Sequence, residues 1–81
     1  MNIKCYDNGG ETADRYTVVF LDEPEPGKPG IFACLGMGET PLHPQGVCMS
    51  GIAQLGRHLG RVIKFTDLPK DCQTVVRRCL S

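Results

Sequence analysis

One string near the N-terminus constrains the fold of this chain more than any other. Asp7-Asn8-Gly9-Gly10 leads, a few residues on, into Asp14-Arg15-Tyr16-Thr17-Val18-Val19-Phe20. Asn and Gly take up positive φ at little cost, so the first part reads as a turn. The second part is rich in aromatic and β-branched residues, which suit a strand. Tyr16, Val18 and Phe20 point to one side of that strand and Thr17, Val19 and Leu21 to the other. Both sides are largely apolar, which predicts a strand covered on both faces and central in its sheet.

The remaining elements follow from this anchor. Ile3–Tyr6 reads as a first strand and Arg15–Leu21 as the second. Asp22–Gly30 holds three prolines and two glycines and reads as an exposed hairpin loop. Ile31–Leu35 is a third strand, antiparallel to the second. Gly36–Gly46 is a long irregular loop, a type of segment that often carries function. In Val47–Leu59 the glycines discourage a long helix, while Ile52, Leu55 and Leu59 fit a short helical turn. Arg61–Phe65 reads as a further strand. Thr66 or Asp67, followed by Pro69, marks the start of a helix, with Asp71 early and Arg77-Arg78 late. Leu68, Cys72, Val75, Val76, Cys79 and Leu80 form its apolar stripe. The expected fold is therefore α+β: a single domain with a small antiparallel sheet of three or four strands and a C-terminal amphipathic helix packed on one face.

Composition narrows the function classes. Nine basic and nine acidic residues give a formal net charge of zero, which argues against broad nucleic-acid binding. Arg57, Arg61, Arg77 and Arg78 form the closest approach to a basic patch, and the last two read more simply as helix C-terminal cations. No apolar stretch reaches membrane-spanning length, and Met1-Asn2-Ile3-Lys4 has no apolar run, so a cytoplasmic location is expected. The chain has 81 residues, with two Tyr, three Phe and no Trp. So small a core makes self-association to a homo-oligomer an expectation.

Five cysteines, Cys5, Cys34, Cys48, Cys72 and Cys79, occur without a CxxC pair, and read as small hydrophobes in a reducing compartment. Cys34, His43 and Cys48 match no common zinc spacing. Asp7-Asn8-Gly9-Gly10-Glu11 lacks the alternating acids of a calcium loop. Neither a P-loop nor a dinucleotide fingerprint occurs. No metal or cofactor is expected.

Candidate binding residues sit in the two glycine-rich loops: Asp7, Asn8, Gly9, Gly10, Asp14, Arg15 and Tyr16 in the first, His43 and Gln45 in the second. The functional reading of the first loop is a row of glycine N–H groups facing an anion or polar ligand, with Arg15 adding charge-assisted bonds. The structural reading is that Asp7 or Asp14 caps the turn and Arg15 pairs with an acid. No catalytic residue is nominated.

Several elements resemble a set of small uncharacterised proteins of bacteriophages and bacterial mobile elements. They are Tyr6-Asp7-Asn8-Gly9-Gly10, Asp14-Arg15-Tyr16-Thr17-Val18-Val19, Gly36-Met37, Pro41 with His43-Pro44-Gln45-Gly46, His58-Leu59-Gly60, and Phe65 with Asp67-Leu68-Pro69. Cys48-Met49 departs from the more polar or aromatic continuation expected after Gly46. Such proteins carry no established activity, and the resemblance implies only a phage context, in which small proteins without enzyme motifs often bind a host factor, defence components included. The lack of a catalytic signature, the small size, the neutral charge and the two Gly/Pro-rich loops make the expectation a non-enzymatic binding protein, a phage or prophage accessory factor that binds a host protein or sequesters a small ligand. Two alternatives stand beside it. One is a small enzyme using Cys34 or Cys48. The other is a subunit that exists to oligomerise, with Met37 or Met49 at its interface.

Overall fold

The computed structural model describes residues 2–80. It is an α+β fold with an antiparallel sheet of five strands: β1 (Ile3–Asp7), β2 (Tyr16–Pro24), β3 (Ile31–Met37), β4 (Cys48–Gln54) and β5 (Arg61–Ile63). Single 3-10 turns occupy Arg57–Leu59 and Phe65–Asp67, and one helix, α1, spans Lys70–Leu80. The order across the sheet is β4-β3-β2-β1-β5. β2 is thus the middle strand, as its two apolar sides predict.

The fifth strand is a correction to the expected three or four, and it comes from β4. Cys48-Met49-Ser50-Gly51-Ile52-Ala53-Gln54 has no alternation of apolar and polar residues, so it carries no strand signal of its own. It forms because β3 offers it a complete ladder, from Ile31↔Gln54 to Met37↔Cys48. Ile52, expected in a helical turn, is a strand residue, and the turn lies further on at Arg57–Leu59. β2 also runs past its expected end. Asp22, Glu23 and Pro24 continue the strand, not the loop, through an irregularity between Val19 and Pro24. Such a bulge accommodates a proline that cannot donate to the ladder. The last strand is shorter than expected, because Phe65 belongs to a 3-10 turn.

Register sorts the residues into two faces. Cys5 lies opposite both Val18 and Ile63, and Tyr16 and Val18 lie opposite Met37 and Leu35. These residues, with Phe20, join Leu68, Cys72, Val75 and Val76 in one apolar cluster. Val18, Met37, Cys72 and Val76 are fully buried in it. The Cys72 thiol also donates to the carbonyl of Gly38 at 3.3 Å. Cys79 and Leu80, assigned to the same stripe from sequence, are exposed. Asp67 does not cap α1. Its carboxylate accepts from Lys64 N at 3.0 Å and closes the preceding 3-10 turn.

The opposite face carries Tyr6, Thr17 and Val19, all buried. Residues 55–60 must cover it, because they connect β4 at one edge to β5 at the other. Four strand spacings of a flat sheet come to about 19 Å, close to the full reach of so short a link. Three of its residues are also wound into a turn, so the sheet has to curve. Gly60, with φ 108°, takes up the resulting bend. A Cβ there would collide with the backbone of Asp7.

Val76 tests the cluster directly. Val76→Asp buries an unpaired carboxylate where a valine has no exposure, and thermal denaturation is expected to show loss of the cooperative transition. An unchanged Tm refutes the assignment of α1 to the core.

Candidate functional site

The turn after β1 brings the two glycine-rich loops together, and its centre is a buried carboxylate. Asp7 is the last residue of β1 and is 6% exposed. Arg15, just before β2, donates to it through both Nε (2.9 Å to Oδ1) and Nη2 (3.2 Å to Oδ2). The third guanidinium nitrogen, Nη1, reaches Glu39 Oε1 at 2.5 Å in the loop after β3. Arg61 of β5 lies 3.6 Å from Asp7 Oδ2. Arg15 also stacks 5.2 Å from the centroid of the Tyr16 ring. One planar fork thus ties the β1 end, the β2 start and the second loop.

Asp7 titrates well below the usual carboxylate range, at about 2. The hydrogen bonds from Arg15 are the largest cause. The Gly9 N–H and the charges of Arg15 and Arg61 act in the same direction, and burial opposes them.

The first loop is internally satisfied. Gly9 N–H donates to Asp7 Oδ1 at 2.7 Å. Gly10 and Glu11 N–H donate to Asn8 Oδ1 at 2.8 and 3.1 Å. The Asn8 amide donates to Thr12 Oγ1 at 2.8 Å, and Thr12 Oγ1 donates to Asp14 Oδ1 at 2.5 Å. Asn8 N–H to Arg15 O, 2.9 Å, closes the loop. The row of N–H groups expected to face an anion is therefore turned inward. Gly9 and Gly10, with φ of 78° and 89°, serve the turn geometry.

The second loop is two consecutive turns. His43 N–H donates to Thr40 O, and Gly46 N–H to His43 O. Gln45 N–H donates to His43 Nδ1 at 3.1 Å. A Cβ at Gly46 would collide with Thr40 O. The loops meet where Gly36 and Gly38 leave room: a Cβ on Gly36 would lie 3.2 Å from Asp14 Oδ2, and one on Gly38 would lie 3.1 Å from Ala13 O.

Between them lies an open cleft of about 400 Å³. Of the residues nominated from sequence, Gly10, Arg15 and Gln45 line it. Asp7, Asn8 and Asp14 build the first loop, and His43 builds the second. Tyr16 is 7% exposed and belongs to the core cluster. Thr12, Gly38, Glu39, Thr40 and Gly46 line the cleft without having been nominated. Glu39 stands 24 residues from Arg15, and no local spacing announces that pairing. On the other side of the first loop, Asp7, Asn8 and Glu11 border a second depression of about 370 Å³ with Arg57, His58 and Arg61.

Burial pushes Cys5 and Cys72 up to about 11 and also raises Cys34, where Asp14 adds to the effect. A raised thiol has less thiolate at neutral pH, which counts against Cys34 as a nucleophile. Among the described residues, no group of three or more His, Cys, Asp or Glu could hold a metal ion. Comparison with family models, curated proteins and solved structures finds no match to this chain, so the reading of the site rests on its own geometry.

Three outcomes are expected. Arg15→Ala removes the main partner of a buried carboxylate and should lower the urea denaturation midpoint. The Asp7 pKa is depressed on folding, so its contribution is present above the unfolded value near 4 and lost as pH falls toward 2. Stability curves of the wild type and Asp7→Asn should accordingly converge over that interval. Separately, a thiol reagent at neutral pH should modify exposed Cys48 and Cys79 before buried Cys5 and Cys72, as read by mass spectrometry of digests.

Proposed function

We propose that this protein is a non-enzymatic binding module of the phage or mobile-element accessory type. In this reading it acts in the host cytoplasm and takes a segment of a host protein into the cleft between its two glycine-rich loops. The observation that carries the proposal is the Arg15 fork. It holds both loops to one end of the sheet and fixes a cleft that the core does not need.

The lining favours a polar protein segment over a small apolar ligand. Small-molecule sites are mostly apolar and enclose their ligand. This cleft is open and is bordered by glycine backbone, Thr12, Thr40, Gln45 and the Arg15–Glu39 pair, with Ala13 and Val47 as its apolar contributions. Arg15 is 31% and Glu39 62% exposed, so a partner could exchange for Glu39 on the guanidinium without disturbing Asp7. The raised Cys34 thiol weighs against that residue as the nucleophile of the cysteine-enzyme alternative. Among the described residues no helix is long and apolar enough to cross a membrane.

The test keeps the fold and fills the cleft. Thr40→Arg with Gln45→Arg alters two exposed residues outside the Asp7–Arg15 pair. Against a partner captured from host extract, calorimetry should show affinity reduced about ten-fold or more, with Tm unchanged. Arg57→Ala, outside the cleft, should bind as the wild type does. Equal affinity for all three proteins refutes the cleft as the site.

A further inference from the structure

The two edges of the sheet are unlike each other. β5 is three residues long and carries Arg61, 77% exposed, with Lys64 just beyond. A short strand bearing cations resists pairing with another sheet. β4 has none of these protections. It is seven residues long, contains no charge and no proline, and runs beside β3 without a register shift. Cys48 through Ile52 are all exposed, including Met49 at 61% and Ile52 at 49%. Among the described residues no strand lies beside its outer backbone N–H and C=O groups. Such an edge is complete in everything but a partner.

We propose that β4 pairs antiparallel with β4 of a second copy of this chain, joining two five-stranded sheets through a two-fold axis at Gly51. This site is separate from the cleft and does not depend on the binding reading. The second copy fits for three reasons. It presents the same uncharged edge, so no charge is left facing an apolar strand, and the chain's formal net charge of zero sets no repulsion between copies. Gly51 is the midpoint of Cys48–Gln54, so the register centred there is the one in which every residue of both strands is paired.

That register places Met49 opposite the partner's Ala53, and Ile52 opposite the partner's Ser50. Met49 shares a sheet face with Gly36, and Ile52 shares the opposite face with Ala33. Pairing therefore covers exposed apolar surface on both faces of the joined sheet, in an isologous contact. Met37, considered for an interface from sequence, is fully buried in the core and takes no part.

Sedimentation velocity from the micromolar to the millimolar range tests this. The wild type is expected to reach twice the 8.9 kDa chain mass. Ser50→Lys with Ile52→Lys sets lysines opposite lysines across the axis and should raise the dimer Kd about ten-fold or more. Ser50→Glu with Ile52→Lys sets Lys opposite Glu and should keep the dimer. Circular dichroism should show all three proteins equally folded. A wild type that stays monomeric throughout, or a Lys/Lys variant that dimerises as well as the Glu/Lys variant, overturns the proposal. So does a monomer that takes up an extended peptide of a different protein along β4.

Discussion

A buried carboxylate has to be compensated, and the way Asp7 is compensated organises one end of this protein. Its side chain is almost wholly out of water, yet it titrates far below an ordinary aspartate. The Arg15 guanidinium accounts for most of that. Because the guanidinium is planar, engaging Asp7 with Nε and Nη2 fixes where Nη1 points, and Nη1 finds Glu39. The geometry of one side chain thereby sets the distance between two loops far apart in sequence. Arg15 remains partly exposed, so solvent weakens this coupling relative to a fully buried pair. The arrangement suits a junction that is firm on the Asp7 side and exchangeable on the Glu39 side.

The loops themselves are built to hold shape. In the first, Asn8 acts as a hub, accepting from two backbone N–H groups and donating to Thr12. In the second, the His43 ring accepts from Gln45 N–H. Polar residues that a sequence reading assigns to a ligand are here consumed by the loop's own backbone. Short polar side chains in turns commonly bond locally. The surface left for a partner is therefore made of the residues between the hubs: Gly10, Thr12, Thr40 and Gln45, together with Arg15 and Glu39.

Legibility from sequence followed the strength of local signals. β2 and the core face of α1 were readable because several strong residues agree at one period. Phe65 was read as the end of a strand and Asp67 as a helix cap, and both belong to one 3-10 turn; for Asp67 the reason is that a 3-10 turn and a helix start use the same capping chemistry. β4 was unreadable: Gly51 and Ser50 weaken any local preference, and only the β3 ladder supplies the missing bonds. In the site, Arg15 was visible as a lone cation beside two acids. Which acid it takes depends on how the chain returns.

The sequence by itself determined the class of the fold, the central strand, the positions of the two glycine-rich loops and the apolar stripe of the helix. Each of these rests on interactions between residues close along the chain, or on a simple period. The tertiary structure alone decided that a fifth strand exists, that Arg15 joins Asp7 to Glu39, and that β4 lies at an unprotected edge. These are long-range pairings. They form because a buried charge and an unfilled strand edge take the partner that folding brings to them, wherever it stands in the sequence.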